Sequence, residues 1–240
     1  MSSFNRHIDV PGDALLPPSR TPLIPNDIKD GERVLVRPPV APAQDDNRYW
    51  VLIDGFRQHP TDATFGWRNE PPHGPYGMGR GVDLLPVPST FQFKPKARKN
   101  GLPDFWQAYG LLVMSTRLLD LVLETDPQAI VHKPIVMMDL EGNVFDEDHH
   151  FVDVIRAAEA VDYANSFVVY QGGEDYEGRR IEPRPASYYS VRILEDIDPS
   201  WHLFRHDHRS PIVSNHLHQK IKRMKPAVSN VGFNAPASGI

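Results

Sequence analysis

Between Leu111 and Ser166 the spacing of apolar residues changes period twice. LLVMS, residues 111–115, is a short continuous apolar run and reads as a strand covered on both faces. TRLLDLVLE then sets Leu118, Leu121 and Val122 at i, i+3 and i+4, which predicts a helix with one apolar face. Ser115 stands at the junction, where a hydroxyl can accept from an early helical N–H. After Thr125-Asp126-Pro127, AIVHKPIVMMDL and VFDEDHHFVDVIR flank Glu141-Gly142-Asn143 and predict a two-stranded hairpin turning there.

The same reading extends along the chain. ERVLVR (32–37) and YWVLI (49–53) are β-branched and aromatic, hence strands. Prolines break the alternation of Val82, Leu84, Leu85, Phe91 and Phe93, which suits edge or bulged strands. Phe105, Trp106, Tyr109 and Leu112 are available for a core. Further strands are predicted at 167–170, 188–194, 201–204 and 228–233. A second helix is predicted over Asn215–Lys222, with Leu217 and Ile221 on one face. Val113-Met114-Ser115-Thr116-Arg117-Leu118 is echoed by Ile212-Val213-Ser214-Asn215-His216-Leu217, so a strand–Ser–helix junction is expected twice. Hairpins together with segregated helices predict an α+β fold of antiparallel sheets and few short helices.

Fifteen of the 24 prolines lie in the first hundred residues, and Pro11 to Pro25 has little to bury. Residues 1–30 are therefore expected to be an extended or disordered arm. A β-rich, loop-rich region at 31–100, an α+β domain at 101–234 and a tail at 235–240 complete the expected organisation.

Charge changes the picture more than overall composition does. Residues 101–200 carry nineteen acidic and seven basic side chains, a net −12, against +2 before them and +5 after. An acidic middle disfavours nucleic acid and suits a basic partner. There is no cysteine, which removes disulfides and thiolate chemistry. MSSFNRHIDVPGD offers no apolar core for a signal peptide, and no apolar run approaches the roughly 20 residues that span a bilayer. The expectation is a cytoplasmic protein without membrane contact.

Several segments imitate catalytic motifs. Asp146-Glu147-Asp148-His149-His150 is rich in metal-ligating types, but contiguous residues diverge on a regular backbone, and the stretch reads as a solvated hairpin end. His206 and His208 share a face if they lie on a strand, yet a third convergent ligand is missing. Gly77-Met78-Gly79-Arg80-Gly81 lacks the preceding strand and following helix of a phosphate loop and reads as a flexible loop. Ser115 and Ser214 read as helix caps rather than nucleophiles. Lys220, Lys222, Arg223 and Lys225 close the second helix, where cations complement its dipole. No catalytic residue, metal or cofactor is assigned.

LLVMSTRLLDLVLE, HKPIVMMDLEGNVF, FVDVIRAAEAVDYANS, YYSVRIL and IVSNHLHQKIKRM with VSNVGF together resemble immunity protein family eleven, over about Phe105 to Phe233. These are bacterial proteins encoded beside polymorphic toxins, including type VI secretion effectors. The resemblance implies a non-enzymatic cytosolic inhibitor that binds a cognate toxin and needs no cofactor. It supplies no contact map. Charge nominates Asp139, Glu141, Asp146, Glu147 and Asp148 around the hairpin, and Glu195, Asp196 and Asp198 as a second patch, for a basic toxin surface such as a nuclease cleft. The alternatives are a metal-dependent enzyme using His206 and His208, and an adaptor of a secretion apparatus.

Overall fold

Two compact units share the chain, each assembled from segments distant in sequence. Residues 1–51, 159–198 and 234–240 form one, and 52–158 with 199–233 form the other. The units therefore interleave along the chain, whereas the divisions expected at 31, 101 and 235 are successive. The structure, a computed structural model, describes residues 5–41, 48–55, 66, 67, 82, 85, 89–92, 102–108, 110–139, 141–174, 180–206 and 211–236. Leu84, Phe93, Tyr109, His208 and the Gly77–Gly81 stretch lie outside the described residues.

In chain order the described elements begin with β1 (Arg6–Asp9), β2 (Arg33–Arg37), β3 (Tyr49–Asp54), β4 (Gly66–Trp67), β5 (Ser89–Gln92), β6 (Phe105–Ala108) and β7 (Leu111–Ser115). Helix α1 (Thr116–Thr125) follows, then β8 (Ile130–Met138), β9 (Val144–Val154), a 3-10 turn at Tyr163–Asn165, β10 (Phe167–Glu174) and β11 (Arg180–Ser190). The chain continues through β12 (Leu203–Arg205), β13 (Pro211–Ser214), helix α2 (Asn215–Arg223) and β14 (Val231–Asn234). Mostly antiparallel sheets with two helices among the described residues make the α+β fold read from the sequence.

The first unit is built on a sheet of order β1-β2-β10-β11. Only β1 and β2 run parallel. Val34, Val36, Val168 and Tyr170 are buried on one side of it and Leu35 and Val169 on the other, so its central strands are apolar on both faces. The last strand differs from the expectation of 188–194. It runs Arg180–Ser190 and includes Pro183 and Pro185. An edge position accommodates prolines that a central strand would reject, and the register against β10 shifts at Val169/Tyr170 and beyond. Val191–Leu194 leaves the sheet, and the Leu194 N–H bonds to the Ala160 carbonyl instead.

The second unit holds a six-stranded sheet of order β4-β5-β8-β9-β7-β6, in which only β5 and β8 are parallel. Trp106, Leu111, Val113, Ile135, Met137 and Phe151 form a core on one face. Strand alternation sends Leu112, Met114 and Val152 to the other, where α1 packs. The buried residues of α1 are Leu118, Leu119 and Val122. Leu119 thus takes the place expected of Leu121, because the buried stripe is centred between 118 and 122 and Leu121 falls on its margin. A second sheet has the order β12-β13-β3-β14. Its last strand starts at Val231 rather than 228, because Ser229 is held by Asp104 and Asn230 turns the chain at φ 61°.

The hairpin turn falls where it is expected. Gly142 adopts φ 91°, a conformation glycine takes without strain, and its N–H bonds to the Asp139 carbonyl.

Candidate partner-binding surface

The hairpin acids divide by role. Asp139 is 2% exposed, and its carboxylate accepts from the Asn143 backbone N–H at 2.8 Å and from the Asn143 side-chain amide at 3.0 Å. It is a turn-holding group and is withdrawn from the surface, a correction to its nomination as a contact. Asp146 is half-buried and accepts from His149 Nδ1 at 2.7 Å. Glu141, Glu147 and Asp148 are exposed. Glu195, Asp196 and Asp198 are exposed on the other unit, where Asp196 pairs with Arg20 at 2.7 Å and Glu195 with Arg192 at 3.4 Å. The two acidic groups therefore belong to different units.

The paired histidines are not the solvated hairpin end expected of them. His149 is 4% exposed, its ring 5.1 Å from that of Trp106 and its Nε2 3.0 Å from the Pro103 carbonyl. The pleat of β9 turns His149 toward Trp106 and His150 toward α1, where its Nε2 lies 3.2 Å from Thr116 Oγ1. Burial, then the nearby His132 and His149, hold the His150 pKa below the ordinary histidine value. His206 is buried with its Nδ1 3.2 Å from the Ala158 carbonyl. Among the described residues no three metal-ligating side chains converge.

The two serine junctions, alike in sequence, differ in chemistry. Ser214 Oγ accepts from the Leu217 N–H at 3.3 Å and so caps α2 as expected. Ser115 precedes α1 without any side-chain cap bond and donates instead to Asp104 at 2.7 Å. Asp104 is a hub. Arg117 grips both its oxygens at 2.6 Å, and Ser229 donates to it through backbone and hydroxyl at 2.8 and 2.9 Å. Burial alone would raise its pKa, but Arg117 and the serine bonds outweigh burial and hold the carboxyl well below its usual range.

Asp162-Tyr163-Ala164-Asn165-Ser166, the end of the FVDVIRAAEAVDYANS stretch that carried the resemblance, has a role its sequence does not show. In the first unit, Asn165 Oδ1 accepts from the Leu16 N–H and Asn165 Nδ2 donates to the Leu16 carbonyl, both at 2.8 Å. Asp162 accepts from the Ser19 N–H at 3.0 Å, and the Ser19 carbonyl accepts from the Tyr163 N–H at 2.8 Å. The Tyr170 hydroxyl accepts from the Leu23 N–H at 2.9 Å. A buried polar segment thus holds a proline-rich stretch by its backbone. Gly172 closes the far end, where an added Cβ would lie 2.8 Å from the Lys29 carbonyl oxygen.

A family model, described as Immunity protein family (Imm11), matches residues 25–238. The chain belongs to this immunity protein family. The match reaches well upstream of Phe105, where the sequence resemblance began, so most of the first hundred residues are part of the family pattern. No curated protein matches the chain. Family membership makes toxin neutralisation the role for which the Imm11 scaffold serves. Among the described residues of this Imm11 protein, no helix is long and apolar enough to cross a membrane.

Proposed function

We propose that this Imm11 protein binds a cognate toxin directly in the bacterial cytoplasm and neutralises it by covering its active site. The observation that carries the reading is the family match over residues 25–238. The charge of the chain supports a basic target. Glu141, Glu147 and Asp148 are exposed on one hairpin, and Glu195, Asp196 and Asp198 are exposed on the other unit. A nucleic-acid cleft is a basic concavity of this kind, and acidic groups docked there would both steer the encounter and exclude substrate. A toxin delivered by a type VI or related polymorphic system would meet this inhibitor inside the cell.

Strands and a tight turn hold the hairpin acids in place, so little ordering entropy is lost when they bind. Co-expression with the toxin encoded beside it tests the reading. Restored growth and a complex that co-elutes in size exclusion are expected. Continued killing without a complex would exclude it.

A further inference from the structure

The stretch from Pro11 to Asn26 is neither helix nor strand, and it is mostly exposed. It is nonetheless anchored at three backbone positions, Leu16, Ser19 and Leu23, by the buried side chains of Asn165, Asp162 and Tyr170. Arg20 adds a fourth tie, donating to the Glu159 carbonyl and to Asp196. The anchors at Leu16, Ser19 and Leu23 engage the backbone rather than the side chains. Two large apolar side chains stand beside anchored positions and face water. Leu15, next to Leu16, is 45% exposed, and Ile24, next to Leu23, is 40% exposed.

With eleven of its sixteen residues exposed, this proline-rich stretch buries little apolar surface against its own body. Yet buried polar groups are committed to ordering it. Ordering of this kind matters when a partner binds, because a segment fixed beforehand does not lose its freedom at the interface. Apolar side chains displayed from a fixed backbone are also the usual anchors of protein interfaces, seated in pockets with polar groups at the rim. Arg20 ties the strap directly to Asp196, so the strap is continuous with the second acidic patch.

We propose that the clamped strap is a preorganised contact surface for the toxin, with Leu15 and Ile24 as its apolar anchors. This rests on the toxin-binding reading above. The partner face it fits is a basic protein surface with apolar pockets.

The test uses the full chain and a catalytically inactivated form of the adjacent toxin. Leu15→Asp and Ile24→Asp, singly and together, replace exposed side chains and should leave the fold and the amide protection of Leu16, Ser19 and Leu23 unchanged. The double variant is expected to weaken binding roughly tenfold or more. Binding equal to wild type would overturn the strap proposal alone, as would amides at 16, 19 and 23 that exchange freely in the unbound chain. Failure of the wild-type chain to bind would overturn the toxin-binding reading itself.

Discussion

The side-chain amide of Asn165 satisfies both backbone groups of Leu16, as a neighbouring strand would. Asn165 is 1% exposed and also donates to Asp162 at 2.8 Å. Asn165→Ala removes the partners of the Leu16 N–H and C=O together. The cost should be roughly 1–3 kcal/mol, read as a lower urea midpoint, with proteolysis now cutting within residues 10–29. An unchanged midpoint and an intact strap would show that the clamp does not hold it.

The two serines make opposite predictions for their coupling to Asp104. Ser214→Ala loses a cap and should cost about 0.5–2 kcal/mol, independently of Asp104. Ser115→Ala loses a bond to a charged, buried acceptor, with an expected cost of roughly 1.5–3 kcal/mol. A double-mutant cycle with Asp104→Asn should show coupling for Ser115 and simple additivity for Ser214. Equal behaviour of the two serines would contradict the distinct roles observed.

That contrast marks how far the sequence was legible. Local periodicity located α1, α2, β7, the β8–β9 hairpin and both strand–Ser–helix junctions, because each follows from neighbouring residues. The partner of Ser115 did not follow, because Asp104 reaches it only after β6 and β7 pair. Pro183 and Pro185 hid most of β11, since a sheet edge is a tertiary circumstance. Asp139 looked like surface charge because its Asn143 partner lies across a turn whose geometry the sequence does not show. The clamp on the strap joins residues about 150 apart and left no local signal beyond the polar motif itself.

Acid should weaken the fold through His218. This residue is 1% exposed, with its ring edge-on to Phe233 at 4.4 Å. Burial, helped by Lys222, pushes its pKa down to about 4 from an ordinary 6.5. The unfolded chain therefore takes up the proton first. Stability is complete above pH 6.5 and falls as pH drops toward 4, by roughly 2–3 kcal/mol from this group. His218→Phe should flatten that part of the pH dependence, measured as urea midpoints from pH 7 to pH 4. Parallel curves for variant and wild type would contradict it.

If the hairpin acids steer the encounter, Glu141→Lys, Glu147→Lys and Asp148→Lys together should slow association with the inactivated toxin. All three side chains are exposed, so stability should stay within about 0.5 kcal/mol. Wild-type association should also slow as salt rises past physiological strength, with a smaller change in dissociation. Stopped-flow rates insensitive to both salt and charge reversal would remove the hairpin from the interface.

The most direct measurement is a titration of toxin activity by this Imm11 protein, run beside calorimetry on the same pair. Neutralisation by direct binding predicts that inhibition and heat saturate together at one fixed molar ratio. A toxin that keeps full activity when the binding isotherm is saturated, or that is never bound, would contradict it.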